Sequence, residues 1–533
     1  MDISYNSLAS SKLHFLILML CCLSLSSLAD TNSFLRCLST TLTPKIQFTN
    51  IVYTPNNINY TSILHSSIRN SRFNTSSTRN PTVIVTPCQQ SQVQSTVKCA
   101  NNAGTTLKIR SGGHDYEGLS YTSKTPFAIL DMFKFRSVEI NLDDETAWVA
   151  AGATLGELYY KIWEKSKVHA FPAGVCPTIG LGGHISGGGY GNMVRKYGLS
   201  SDNLVDAKIV DAKGRVLDRK RMGEDVFWAI RGGGGASFGV ILSYKIKLVR
   251  VPPIVTVFKV PRTLEENATD LVHHWQYIAD KVDKNLFLRV YMHPKTLNGT
   301  KTLTASFIAM FLGNADNLVS LMTSTFPELG LQKHDCKEVS WIKSVLFWAE
   351  FPDETPETTL LNRNTTNPRA FKNKSDYVKT PIPKDGLRGA LERLADSGDL
   401  MMMFNPYGGR MSEIPETATA YPHRAGNIYK IQYLLYWVEA GPDFTNKEID
   451  KMRGLHNYMT PFVSKNPREA FLNYRDIDIG STDNGPGSLD EARVYGIKYF
   501  KGNFDRLVRV KTKIDPENFF KHEQSIVPLK NSY

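Results

Sequence analysis

Short apolar runs and amphipathic stretches alternate along the first half of the chain. Pro81-Thr-Val-Ile-Val-Thr-Pro87 is apolar and closed by prolines, which predicts a buried strand. Ser91 to Ala103 has helical spacing through Val93, Val97 and Ala100, with Ser91 as N-cap and Gly104 just past the end. Thr106-Leu-Lys-Ile-Arg110 follows as a strand and completes a βαβ unit. Ligands of such units sit at the carboxyl ends of the strands. Phe127–Asp131 reads as another strand, and Leu155, Leu158, Tyr159, Ile162 and Trp163 make one helix face. Leu204 to Leu217 reads as two strands around Asp211-Ala-Lys-Gly214, and Phe238 to Val251 as a further strand. From Pro252-Pro253 the character changes: residues 255–440 alternate amphipathic helices with strands, which predicts a second domain.

Within that second region, Ile428 to Val438 has a period of two. One face carries Tyr429, Ile431, Tyr433, Leu435 and Trp437; the other carries Ile428, Lys430, Gln432, Leu434 and Tyr436. A lysine on an inner sheet face needs a partner or a function. The alternative is a solvated face with Lys430 in water.

Two glycine-rich segments carry the candidate chemistry. Arg110-Ser-Gly-Gly-His114-Asp-Tyr116-Glu-Gly leaves the strand at 106–110, and Gly174-Val-Cys176-Pro-Thr-Ile179-Gly-Leu-Gly-Gly183 comes some sixty residues later. Glycine lets backbone press close to a flat ring, and imidazole and thiolate are nucleophiles. No glycine stretch satisfies G-x-G-x-x-G or ends in G-K-[ST], which disfavours a Rossmann dinucleotide site and a P-loop. There is no C-x-x-C or H-E-x-x-H, so no metal is expected; Gly235-Ala-Ser-Phe-Gly239 spells G-x-S-x-G but runs into the strand at Phe238 to Val251 and not into a helix, so it is not read as the elbow of a serine hydrolase. The net charge is +12, but its one dense cluster, Lys213 to Arg221, has no interleaved aromatics; nucleic acid is not an expected partner.

These two segments resemble the flavin-attachment segments of the berberine bridge enzyme-like family, the plant FAD-linked oxidases. Ser186-Gly-Gly-Gly-Tyr190-Gly, Arg195-Lys-Tyr-Gly-Leu199, Asp225-Val-Phe-Trp228 with Arg231-Gly-Gly, Asn473-Tyr-Arg-Asp476 and Asp515-Pro-Glu-Asn-Phe-Phe520 extend the likeness in order over nearly the whole chain. The resemblance implies an α+β, two-domain FAD-binding fold of the vanillyl alcohol oxidase type, with an antiparallel-sheet-plus-helices substrate domain. Residues 30–250 and 475–533 are expected to form the FAD-binding domain around a substrate domain at 251–474. FAD would be held bicovalently, His114 on the 8α-methyl and Cys176 on C6, with Arg110, Ser111, Gly112, Gly113, Gly174, Gly180, Gly183 and Tyr190 lining it. Tyr474 is the implied base, with Lys430 and Gln432 beside it. A phenol has an ordinary pKa of about 10, and a cation such as Lys430 would lower it. Tyr116, Tyr190 and His293 are expected at the substrate, and His184 in a structural role near the cofactor. Asp115 and Glu117 flank His114 and either orient it or face solvent. Ile179 matches a position that in relatives governs access of O2 to reduced flavin, and it favours an oxidase.

The first 29 residues read as a secretory signal: Lys12, an apolar run from Leu13 to Leu23, and small residues ending at Ala29. The run is too short to span a bilayer. The mature chain keeps roughly 500 residues, enough for two or more domains. Six sequons, at Asn59, Asn74, Asn267, Asn298, Asn364 and Asn373, fit an exported glycoprotein of the apoplast or vacuole. Five cysteines follow the signal. Cys37 and Cys99 match the family's N-terminal disulfide; Cys88 and Cys336 are free thiols or a second bridge. The expected activity is oxidation of a phenolic, prenylated phenol or alkaloid by a monomer. Tyr474 would take a proton, a hydride would pass to flavin N5, and O2 would become H2O2. Oxidation of an oligosaccharide or monolignol, and a redox-neutral cyclisation on the same scaffold, are the alternatives; a non-catalytic binding protein is disfavoured by Tyr474, Lys430 and Gln432.

Overall fold

The computed structural model describes residues 30–42, 45–297, 299–364, 369–439, 441–482 and 488–529. The signal segment and Asn298 lie outside them. Among the described residues, no helix is long and apolar enough to cross a membrane.

The predicted βαβ unit is present. Val83–Val85 and Thr106–Arg110 both pair in parallel with Phe127–Asp131, which lies between them, and Val52–Tyr53 closes the edge of this four-stranded sheet. The helix between them is Gln90–Asn102, and its N-cap is Gln89, not Ser91. A reciprocal capping box with Gln92 wins there, because the longer amide reaches back to the cap backbone. Cys37 and Cys99 form a disulfide with a Cα–Cα distance of 5.5 Å, whereas Cys88 and Cys336 are free. A second, antiparallel sheet runs Val138–Asn141, Thr146–Ala150, Val240–Lys247, Leu204–Val210, Val216–Leu217.

Between these sheets and the C-terminal helices comes a seven-stranded antiparallel sheet. Its spatial order is Cys336–Val339, Val255–Thr263, Thr300–Phe311, Leu286–Leu297, Leu400–Pro406, Tyr429–Trp437, Ala370–Val378. The two-residue period sorts its side chains. Leu288 and Val290, Met402 and Phe404, and Tyr429, Ile431 and Tyr433 are buried in one cluster with Trp275, Leu391 and Met452 of the covering helices. Each such side chain contributes about 1.5–3 kcal/mol, so register is fixed on that face. The opposite parity, including Arg289, Met403, Gln432 and Tyr436, faces a cavity.

Helices Leu489–Phe500 and Phe504–Ile514 return to the first part of the chain, where Phe504, Leu507 and Val508 share a core with Phe227, Trp228 and Ile185. Lys511 Nζ donates to the Ser237 carbonyl at 2.8 Å, and Lys108 Nζ to Glu523 Oε2 at 3.0 Å.

The sequons separate by burial. Asn59, Asn74, Asn267 and Asn364 are exposed. Asn373 is fully buried in Ala370–Val378, where its Oδ1 accepts from Gln432 Nε2 at 2.9 Å. The expectation of a glycan there is corrected: the folded sheet has no room for one. Glycopeptide mapping of secreted protein is expected to return the Asn373 peptide unmodified and glycans at the four exposed sites; a glycan on Asn373 in folded protein would contradict this packing.

Candidate active site

The His114 and Cys176 segments meet because both are glycine where they touch. A Cβ on Gly112 would stand 2.3 Å from the Gly180 nitrogen, and one on Gly180 equally close to the Gly112 nitrogen. The joined segments open on a cavity of about 830 Å³. His114 Nε2 lies 3.0 Å from Thr178 Oγ1, and Cys176 Sγ lies 3.6 Å from the same oxygen. Burial, with Arg69 nearby, pushes the His114 imidazolium down to about 3, so the ring is neutral.

Asp115 and Glu117 do not hold the imidazole. Asp115 Oδ2 accepts from Arg475 Nε at 2.8 Å, while Glu117 pairs with Arg72 and with Lys372. Lys372 and Lys374 each donate to Asp476 at 2.7 Å, and Lys374 lies 2.8 Å from Asp478. These buried pairs tie the His114 segment to the Tyr474 segment.

Tyr474 enters the cavity from the short 3-10 turn Leu472–Tyr474. Its ring meets Phe471 edge-on at 4.9 Å and Tyr116 at 6.0 Å, and its hydroxyl has no hydrogen-bond partner among the described residues. Burial pushes its phenol up to about 12, and Arg289 pulls against that. Lys430 is neither solvated nor in the cavity wall. It is fully buried behind the wall, with Nζ 3.6 Å from the Tyr190 ring centroid, 3.8 Å from Phe471 and 4.4 Å from Tyr474, and no hydrogen-bond acceptor. Burial and Arg289 hold its ammonium well below the usual lysine range. The expectation that Lys430 lowers the Tyr474 pKa is therefore corrected: the permanent cation acting on Tyr474 is Arg289.

Gln432 Nε2 donates to Tyr116 Oη at 3.1 Å, which leaves the Tyr116 proton for the cavity. Tyr190 lines the cavity with its ring, but its hydroxyl donates to the Pro406 carbonyl and the ring stacks on Tyr407. It is a wall. His184 accepts from the Gly174 N–H at 3.0 Å and is held neutral by burial, which fits its structural reading.

Ser111, Gly112, Gly113, Gly174, Gly180 and Gly183 line the cavity as expected positions, and Ser111 Oγ donates to the Ala151 carbonyl. Arg110 does not line it. Its guanidinium is buried against Asp131 and the carbonyls of Ile63 and Leu64, which hold it away from the cavity. His293 is also outside, with Nδ1 3.0 Å from the Pro294 carbonyl and its ring on Tyr291. Arg289, two turns of the same pleat earlier in Leu286–Leu297, reaches the cavity instead and donates to Asn405 Oδ1 at 2.7 Å. Its signal was the two-residue period through Arg289, Tyr291 and His293. Thr178 had no such signal.

FAD fits this site on the structure's own evidence. Two nucleophilic side chains stand at one cavity of cofactor size, and a Cβ on cavity-lining Gly183 would meet nothing within 4 Å, so the backbone there is bare toward a ligand. Family models agree: residues 81–219 match an FAD binding domain, and residues 470–527 match the model "Berberine and berberine like". Berberine bridge enzyme-like 21 of Arabidopsis thaliana is 53% identical over 497 residues, 93% of this chain and 92% of the relative. Tetrahydroberberine oxidase of Berberis wilsoniae is 50% identical over 512 residues, 95% and 96%. Among solved structures, the grass pollen allergen Phl p 4, described as having glucose dehydrogenase activity, superposes with a TM-score of 0.88 at 44% identity over 93% of this chain and 99% of its own. Berberine bridge enzyme from Eschscholzia californica superposes with a TM-score of 0.88 at 40% identity, covering 94% and 100%. With this fold, this cavity and these relatives, the chain belongs to the berberine bridge enzyme-like family of FAD-dependent oxidoreductases.

Proposed function

We propose that the protein is an exported, monomeric oxidase of a hydroxyl-bearing plant metabolite, a phenol, prenylated phenol or alkaloid, with Tyr474 as proton acceptor. The observation that carries this reading is the unpartnered Tyr474 hydroxyl at the cavity, set among rings and facing the field of Arg289. FAD, held through His114 and Cys176, supplies the two-electron acceptor, and O2 is the final oxidant. Tyr116, its oxygen already accepting from Gln432, donates its own proton to a substrate oxygen. Tyr474 Oη, as phenolate, takes the substrate's hydroxyl proton. Phe371, Tyr436 and Tyr116 offer ring faces and edges that suit flat substrates.

Carbohydrate is the second reading, favoured because Phl p 4 is described as a glucose dehydrogenase. An isoleucine-to-valine variant of that protein is described as a glucose oxidase. Ile179 of this chain lies on the cavity wall, and an isoleucine in that role goes with the dehydrogenase and not the oxidase form of that relative, so it counts against the expectation that Ile179 favours an oxidase. The test is anaerobic mixing with phenolics, alkaloids and sugars, following flavin absorbance and product mass together. Bleaching with loss of two hydrogens is expected. Conversion without bleaching or mass change would replace the oxidase with a redox-neutral cyclase.

A further inference from the structure

We propose that Thr178 is a positioning residue that prepares both anchors, His114 and Cys176, for attachment of FAD. This rests on the reading that the cofactor is bound at both residues.

One hydroxyl lies between the two groups, 3.0 Å from His114 Nε2 and 3.6 Å from Cys176 Sγ. A hydroxyl carries a single proton and two lone pairs, and a neutral imidazole a single N–H. Only one proton arrangement makes both anchors nucleophilic together. In it, His114 Nε2–H donates to Thr178 Oγ1, and the Thr178 O–H points at Cys176 Sγ. Nδ1 then holds its lone pair free. The sulfur then accepts a hydrogen bond and does not spend its own proton on Thr178. The reverse arrangement puts the proton on Nδ1 and makes the sulfur the donor to Thr178, so neither anchor is ready.

The geometry is built in by the chain. The close Gly112–Gly180 contact fixes the two segments against each other, and the Pro177 and Ile179 carbonyls accept from Gly156 and Leu155 at 2.8 and 2.9 Å, pinning Thr178 on both sides. The neutral state of His114 is consistent with this arrangement, since an imidazolium has no free lone pair.

Each link replaces one C–H of the cofactor, and one N–H or S–H of the protein, by a C–N or C–S bond. Two protons and two electrons leave per link. The electrons pass to the flavin and from it to dioxygen, which takes up the two protons, relayed through the anchor's own hydrogen-bond partner and water, to become H2O2.

The test compares wild type, Thr178→Val, which keeps the shape without the hydroxyl, and Thr178→Ser, which restores it. Protein is denatured in acid, digested, and weighed for peptides joined by flavin to His114, to Cys176, or to both. We expect the doubly linked fraction to fall about tenfold or more in Thr178→Val, the scale of one lost hydrogen bond, and to recover in Thr178→Ser. Should Thr178→Val not be secreted, Thr178→Ala serves as the second variant without a hydroxyl. Full double attachment in a variant lacking the hydroxyl overturns the proposal and leaves the bicovalent reading intact. A wild-type enzyme missing either link overturns both.

Discussion

Tyr474→Phe is expected to lower kcat by about 10²–10⁴-fold, the usual worth of a positioned acid–base group, with cofactor content unchanged. Phenylalanine keeps the edge contacts with Phe471 and Tyr116 and removes only the oxygen. The pH profile gives the same assignment a second reading. Burial raises the Tyr474 phenol to about 12 and Arg289 opposes it, so at ordinary pH the phenolate is the minor form. The rate then rises about tenfold per pH unit below that pKa. Arg289→Gln removes the opposing cation and raises the Tyr474 pKa further. Its profile is expected to move to higher pH, with a lower rate at any fixed pH below the plateau. Stopped-flow flavin reduction across pH measures both. A Tyr474→Phe enzyme that keeps more than about a tenth of the wild-type reduction rate would remove Tyr474 from the role of base.

Asp476→Ala is expected to have the largest effect on stability. Asp476 is buried, and its two oxygens each accept from a buried lysine at 2.7 Å, Lys372 on one side and Lys374 on the other. Removing it leaves two lysines competing for Glu117 and Asp478. Breaking a buried pair in this way costs about 3–5 kcal/mol. The loss reaches the site, because Asp476 is two residues from Tyr474 and Glu117 three from His114. Although burial alone would push the Asp476 and Asp478 carboxyls up, Lys372 and Lys374, with Arg453 on Asp478, hold both below the usual range. A depressed carboxylate stabilises above its unfolded pKa of about 3.9 and loses that contribution as pH falls. Wild type should therefore lose stability steeply as pH drops below about 4, and Asp476→Ala should be weaker already at neutral pH with a shallower acid slope. Thermal melts from pH 3 to 7 measure this, and equal melting temperatures at pH 7 would refute the role given to the network.

Local periodicity made much of this molecule legible. The strand at 106–110 points its carboxyl end at His114, and the strand at 429–437 shows two faces in its sequence alone. What periodicity does not carry is direction across space. Arg110 sits next to a glycine turn at the cavity, yet its side chain belongs to Asp131. Asn373 satisfies a three-residue motif, but burial beside Gln432 decides its fate. Lys430 was expected as a cation, and only the assembled fold shows that full burial, with Arg289 nearby, holds it toward neutrality. Lys372 meets Glu117 across 255 positions of sequence, a pairing no local pattern contains. Thr178 is invisible for the same reason: its hydroxyl matters only because two glycines bring another segment against it.

The C-terminal helices do more than close a core. Lys511, Glu523 and Ile526 bond to Ser237 and Lys108, groups made hundreds of residues earlier. A ribosome delivers the His114 and Cys176 walls first, then the whole seven-stranded sheet, and only afterwards the segment that shuts the first unit. On the proposed reading, flavin loading is expected to wait for near-completion of synthesis: a chain truncated within the seven-stranded sheet would carry His114 and Cys176 but lack the segment that bonds to Ser237 and Lys108, so bound flavin would serve as a molecular receipt for a finished polypeptide.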